Sequence, residues 1–214
     1  MEEGIKRVAI SILPFLFSLC FHEYAHAWVA QKLGDPTARY NGRLTLNPMA
    51  HIDIIWTVIF PIITLFIGGV FFGSAKPVPV DARNFKKPER DMALVALAGP
   101  LSNIFLGFIF AIVFGIIYKY APDTSSAFSI PVLYMLQTGI LINFFLAFFN
   151  LVPIPPLDGS RIASLFLPYK YMSYIDMLAP YGFIIILLLW QVGFLGVLVG
   201  IPARLLYNVA MGLV

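Results

Sequence analysis

Phe21-His22-Glu23-Tyr24-Ala25-His26-Ala27 lies inside an apolar run that begins near Val8, and this combination decides how the chain is read. Residues four apart project on one face of a helix, about one turn from each other, so His22 and His26 can reach a single ion. A glutamate between two such imidazoles can bond a zinc-bound water and take its proton. The chain has three histidines, and two of them sit in this motif. Two imidazoles and a carboxylate inside a hydrophobic helix are costly unless they have a function. The motif therefore points to Zn2+ held by His22 and His26, with Glu23 as the acid–base.

The composition around the motif is that of a membrane protein. Of 214 residues, 60% are hydrophobic and 12% are charged, whereas a soluble domain carries about 25% charged residues. Runs such as Ile104–Tyr118 and Phe183–Trp190 need lipid or a buried core around them. The net charge of +3 is too small and too scattered to argue for nucleic acid. The expected surroundings are the lipid bilayer, and the basic residues then report orientation. With one cysteine, Cys20, no internal disulfide can form, and its place two residues before His22 makes it a packing residue. Residues 5–21 begin basic and become apolar, as a signal peptide does. No small-residue cleavage site follows them, so the segment is expected to stay.

A first helix is expected from residue 8 to about 31, kinked at Pro14 and ended by Gly34-Asp35-Pro36. Residues 35–52 are rich in turn pairs, and Thr37–Leu46 predicts a short hairpin around Asn41-Gly42. Apolar segments follow at 54–73, 91–118, 130–150 and 177–199. Residues 200–214 form either a sixth helix or an amphipathic tail. Ala98-Gly99-Pro100 is expected to make the first turns of the 91–118 helix irregular. The stretch Asn150–Gly159 cannot be regular helix, because it holds three prolines in four positions. Lys76-Pro77-Val78-Pro79 reads as extended. The fold class expected is an all-α polytopic membrane protein of about five to six membrane helices. A re-entrant segment and short β or extended elements would lie near the active site, and residues 1–214 would form one membrane-embedded domain.

Catalytic zinc takes three protein ligands and a water. Asp53 and Asp158 are the candidates for the third, with Asp81 and Asp91 behind them. Asp158 follows backbone broken by prolines inside an apolar region, and Gly159 permits close backbone approach. His51 reads as a residue that structures its loop, with a fourth ligand or a proton relay as the alternative.

Taken together, Phe-His-Glu-Tyr-Ala-His-Ala and the Asn150–Gly159 pattern Asn-x-x-Pro-x-x-Pro-Leu-Asp-Gly resemble the site-2 protease family of intramembrane zinc metalloproteases, peptidase family M50. Ala98-Gly99-Pro100 with Asn103 after it matches the same family, and the likeness runs from about residue 18 to 165. The chain resembles the minimal branch that lacks PDZ and CBS domains. The resemblance implies that Asp158 is the third zinc ligand, that Glu23 is the catalytic acid–base, and that Asn150 supports the oxyanion or the site. It also implies hydrolysis of a membrane-anchored protein substrate within the bilayer.

His22, His26 and Asp158 can share an ion only at one membrane depth. The helices 91–118 and 130–150 make two crossings between them, so 54–73 should add none and bend near Pro61. This topology gathers Lys32, Arg39, Arg43, Lys76, Arg83, Lys86, Lys87, Arg90, Arg161 and Lys170 on one side, against Lys6, Arg7 and Lys119. The richer side is expected to be cytoplasmic, with the active site toward the cytoplasm of a prokaryotic inner membrane. A metal carrier is the rival from another class, but Glu23 has no evident role in transport. A catalytically dead relative finds no support, since ligands and Glu23 are all present. A glutamate as third ligand has little to work with, because no glutamate follows Glu89.

Overall fold

The Pro14-containing apolar stretch and the motif beyond it form one long helix, α1 (Glu2–Leu33), in this computed structural model. The structure describes residues 2–59, 61–63, 73–121, 129–167 and 177–214, with nothing stated of the side chains of residues 2–9. Short elements follow α1. They are α2 (Thr37–Tyr40), a 3-10 turn at Pro48–Ala50, a π turn at Ile54–Ile59 and a 3-10 turn at Ala82–Asn84. Two long helices come next, α3 (Pro88–Tyr120) and α4 (Ser129–Asn150). The chain closes with α5 (Asp158–Ala163), a 3-10 turn at Ala179–Tyr181, α6 (Gly182–Gln191), α7 (Phe194–Leu198) and α8 (Gly200–Gly212).

Among the described residues no strand occurs, so the expected hairpin at Thr37–Leu46 is replaced. Asp35, fully buried just past α1, accepts from the Thr37 N–H and hydroxyl, and the Asx-type turn so formed leads into the helical turn α2. The extended element expected at Lys76–Pro79 is present as irregular chain over 73–80.

Among the described residues three helices are long and apolar enough to cross a membrane, α3, α4 and the α7–α8 unit Phe194–Gly212. That is fewer than the five to six expected. The span expected at 177–199 is displaced, because Gly193, at φ 75°, ends α6 and restarts the helix one residue later. Residues 200–214 thereby become the greater part of a span. The irregular opening expected for the third helix is also absent, since α3 runs through Ala98-Gly99-Pro100 unbroken. Residues 60 and 64–72 of the expected re-entrant segment, part of the loop at 122–128, and Lys170 lie outside the described residues. The flanks of that segment meet: the Ser74 N–H donates to the Trp56 carbonyl at 3.0 Å, and the Thr57 hydroxyl donates to the Ser74 carbonyl at 2.7 Å.

Helices α1, α3 and α4 pack together, and α8 lies against α4. Phe144, fully buried on α4, fits against α3 at Gly107, where a Cβ would stand 2.5 Å from its ring. At the centre of the three helices Ser18, Asn103 and Asn143 are each fully buried. Groups this polar survive in an apolar interior only when every donor and acceptor is paired.

Candidate metal centre

The pairing of those groups runs in one direction. Asn143 Nδ2 donates to the Gly139 carbonyl and to Ser18 Oγ, both at 2.8 Å, and the Ser18 hydroxyl donates to the Pro14 carbonyl at 2.6 Å. Asn103 Nδ2 donates to Asn143 Oδ1 at 2.9 Å and to the Ser18 carbonyl at 3.2 Å. A carbonyl only accepts, so the amide end facing Ser18 is the NH2 and the opposite end, Oδ1, is the acceptor. That oxygen lies 2.6 Å from His22 Nδ1, which must therefore carry the proton. His26 is fixed in the same way, because its Nδ1 lies 2.7 Å from the Val95 carbonyl. Val95 belongs to the turn of α3 before Pro100.

Both Nε2 atoms consequently present bare lone pairs, and they face each other at 3.0 Å. Asp158 Oδ2 lies 3.1 Å from one and 3.3 Å from the other. Three acceptors converging at these distances repel one another unless a cation sits among them. Donors at 2.0–2.1 Å from a tetrahedral ion lie about 3.3 Å apart, so the spacing fits. The donor set, two imidazoles and a carboxylate, is one that divalent zinc takes with a water.

Close backbone approach makes this geometry possible. A Cβ on Gly99 would lie 2.5 Å from His22 Nε2 and from Cε1 of both histidines, so α3 can reach the rings only with glycine there. Asp158 opens α5 after the proline-rich break, and Gly159 rests against the Leu151 carbonyl at a distance no side chain tolerates. Glu23 is buried between the histidines, and its Oε2 accepts the Val78 N–H at 2.9 Å. The extended segment is thus tied across the mouth of the site. The Lys76 N–H bonds the His51 carbonyl at 2.8 Å, and Asp35 accepts from the Asp81 N–H and Asn84 Nδ2. Burial alone would raise the Asp35 carboxyl, but the donors from Thr37, Asp81 and Asn84 outweigh it and hold it below the ordinary carboxylate range.

One cavity of about 440 Å³ is lined by His22, Glu23, His26, Asn150 and Asp158 together. Asn150 lies there with Nδ2 donating to the Leu146 carbonyl at 3.0 Å. The other candidate carboxylates serve the backbone. Asp53 accepts the Ile55 and Trp56 N–H groups, Asp81 that of Arg83, and Asp91 that of Lys87. His51 Nε2 lies 2.8 Å from the Thr45 carbonyl, and Cys20 Sγ bonds the Leu46 carbonyl, both away from the three acceptors. Among the described residues His22, His26 and Asp158 are the one group able to hold a metal. Sequence reasoning missed what Asn103, Val95 and Val78 do. For Asn103 a signal existed, since it is a polar residue deep in an apolar helix.

The model of peptidase family M50 matches residues 10–189, and the chain belongs to that family. YwhC of Bacillus subtilis, a proposed zinc metalloprotease, is 39% identical over 186 residues, covering 85% of this chain and 82% of its own length. MJ0611 of Methanocaldococcus jannaschii, also a proposed zinc metalloprotease, is 32% identical over 163 residues, 71% of each chain. Rip2 of Mycolicibacterium smegmatis, named in the same way, is 28% identical over 180 residues, 83% of this chain and 65% of its own. No solved structure matches the chain.

Proposed function

We propose that this M50 peptidase hydrolyses peptide bonds in or beside the transmembrane segments of membrane-anchored proteins, with zinc held by His22, His26 and Asp158. The observation that carries the reading is the convergence of three bare acceptors at 3.0–3.3 Å beside Glu23, in one cavity among membrane-length helices. Bound zinc supplies a Lewis acid for the scissile carbonyl and lowers the pKa of water toward about 7.

The remaining steps fall to the chain. Glu23 keeps one carboxylate oxygen on the Val78 N–H, which leaves the other to take the proton of the attacking water and return it to the leaving amine. Asn150 can turn its amide from the Leu146 carbonyl toward the oxyanion. The Lys76–Pro79 segment, tethered beside Glu23, offers its outward backbone edge to an unwound substrate. Replacing it with a Gly/Ser run while retaining cleavage would remove that role.

The meeting of Ser74 with Trp56 and Thr57 supports a 54–73 segment that enters and leaves the membrane on one face. With α1 counted as a crossing, the metal ligands then sit at one depth and the active site opens toward the cytoplasm. An N-terminal epitope tag found in the cytoplasm would contradict this arrangement. The central test compares wild type with Glu23→Gln on a generic transmembrane substrate in detergent, with zinc measured on both. Loss of cleavage with zinc retained is expected. Equal zinc and no cleavage by either protein, over several substrates, would overturn the reading.

A further inference from the structure

A second cavity of about 440 Å³ lies between α4 and the C-terminal span and is lined by Phe15, Leu141, Phe145, Phe149 and Trp190. Its one charged lining residue is Arg204, and its lining also includes Gly196 and Gly200. These three residues follow one another at i, i+4 and i+8, so they form a single row along α7–α8. The adjacent row, Leu195, Val199 and Ala203, is buried against the protein. The glycine row is open instead: a Cβ on either glycine would meet nothing within 4 Å. Glycines four apart on an open membrane-helix face let a second helix backbone approach closely.

Arg204 adds an independent signal. It stands one residue past the middle of the span Phe194–Gly212. Its level agrees with its neighbours, since Leu141 and Ile142 share the cavity and Tyr207 bonds Gln137 in the middle of α4. Among the described residues it has no hydrogen bond or ion pair. Both headgroup layers are about 15 Å from the middle of a bilayer, beyond the reach of a guanidinium on its stem. A cation so placed is costly and asks for an anion. The spans of a second copy offer no free carboxylate, because α3, α4 and α7–α8 hold only Glu89 and Asp91 at one helix start, and Glu23 of α1 and Asp158 are engaged at the metal site.

The cavity borders a further one that reaches His22 and Glu23, and Gly73, Leu146 and Phe149 line both. We propose that this groove docks the helix to be cut, with Gly196 and Gly200 receiving its backbone and Arg204 pairing with an Asp or Glu at mid-depth. The protease would thereby select substrates bearing an intramembrane carboxylate. The proposal rests on the peptidase reading above, and its test separates the two.

The binding arm uses the Glu23→Gln protein in lipid nanodiscs with a labelled single-span peptide. Asp, Asn or Lys is placed in turn at positions along the peptide. At one position the Asp peptide should bind about tenfold more tightly than the Asn peptide, at the upper end for polar pairs between membrane helices. Arg204→Gln should abolish that ratio, Arg204→Lys should keep most of it, and Arg204→Glu should turn the preference toward Lys. The same ratio in Arg204→Gln and its parent would overturn the proposal. The cleavage arm uses wild type. An Asp peptide held through Arg204 but left uncut, while an uncharged peptide is cut, makes the groove a partner site and overturns the substrate assignment. Wild type that cuts no peptide refutes the peptidase reading instead, whatever the binding ratio.

Discussion

Gly99→Ala should cost the protein its metal while leaving the fold. The added methyl would stand 2.5 Å from His22 Nε2 and from Cε1 of both rings, where ordinary contact begins at 3.4 Å, so something must move by the difference, 0.9 Å. Helix α3 cannot simply retreat, because Asn103 and Val95 hold the far nitrogens of the same two rings at 2.6 and 2.7 Å. The rings must therefore swing or the helix must part from them, and either displaces the Nε2 atoms well beyond the tolerance of about 0.2 Å for metal–ligand distances. Overpacking costs about 1–3 kcal/mol, within reach of a helical membrane protein. Zinc affinity should fall at least about 100-fold, by analogy with lost support around metal ligands. Chelator competition, with circular dichroism to confirm helicity, measures both. Gly212→Ala is the control, since nothing lies within 4 Å of its added methyl. A Gly99→Ala protein that binds zinc as wild type does would refute the reasoning.

Asn103→Ala leaves the His22 Nδ1–H without an acceptor, and zinc affinity should fall about 10–100-fold, read by the same competition. Asp158→Asn should bind zinc weakly by metal analysis, because an amide presents no charge to the ion. Glu23→Gln should keep its zinc and lose about 10²–10⁴ in cleavage rate; a loss of metal instead would make Glu23 a ligand. Asp35 lies below the ordinary carboxylate range when folded, so its stabilisation is complete above the unfolded value of about 3.9 and fades as pH falls through the lower folded one. The Tm of wild type should drop across that acid window, and that of Asp35→Asn should be lower above it and flatter within it.

The histidine half of the candidate metal centre was legible because its chemistry is local and rare. His22, Glu23 and His26 share one helix stretch by spacing, whereas position alone left Asp158 beside Asp53, and only the family resemblance singled it out. The helix of residues 130–150 was legible from its unbroken apolar length, matching α4 to one residue. The hairpin at 37–46 was misjudged because the Asp35 carboxylate starts a helical turn, and nothing in Asn41-Gly42 competes with a buried acceptor already in place. The last span was misplaced because apolar residues dominate 183–199, with Gln191 its one polar side chain, and the left-handed Gly193 divides them. Hydropathy has no access to a dihedral angle. The Val78 bond to Glu23 joins positions 55 apart, and no periodic pattern relates them.

The same physics explains why Ser18, Asn103 and Asn143 are worth burying. Each amide or hydroxyl removed from water without a partner costs about 1–3 kcal/mol, and within lipid no water is available to relieve it. Asn143 spends its donors on Gly139 and Ser18, and Asn103 spends its own on Asn143 and Ser18. What remains is one acceptor, Asn103 Oδ1, aimed at one proton, His22 Nδ1–H. A purely apolar triple-helix core would pack as well and leave the His22 tautomer free. With the Nε2–H tautomer a proton would occupy the space where the lone pair must point, and His22 would face His26 and Asp158 as a donor. The network therefore acts on the metal site through a single proton, and Asn103→Asp separates that role from packing. The carboxylate keeps an acceptor for His22 but loses both donated bonds. Zinc affinity per folded molecule should survive better than in Asn103→Ala, even where stability falls as far.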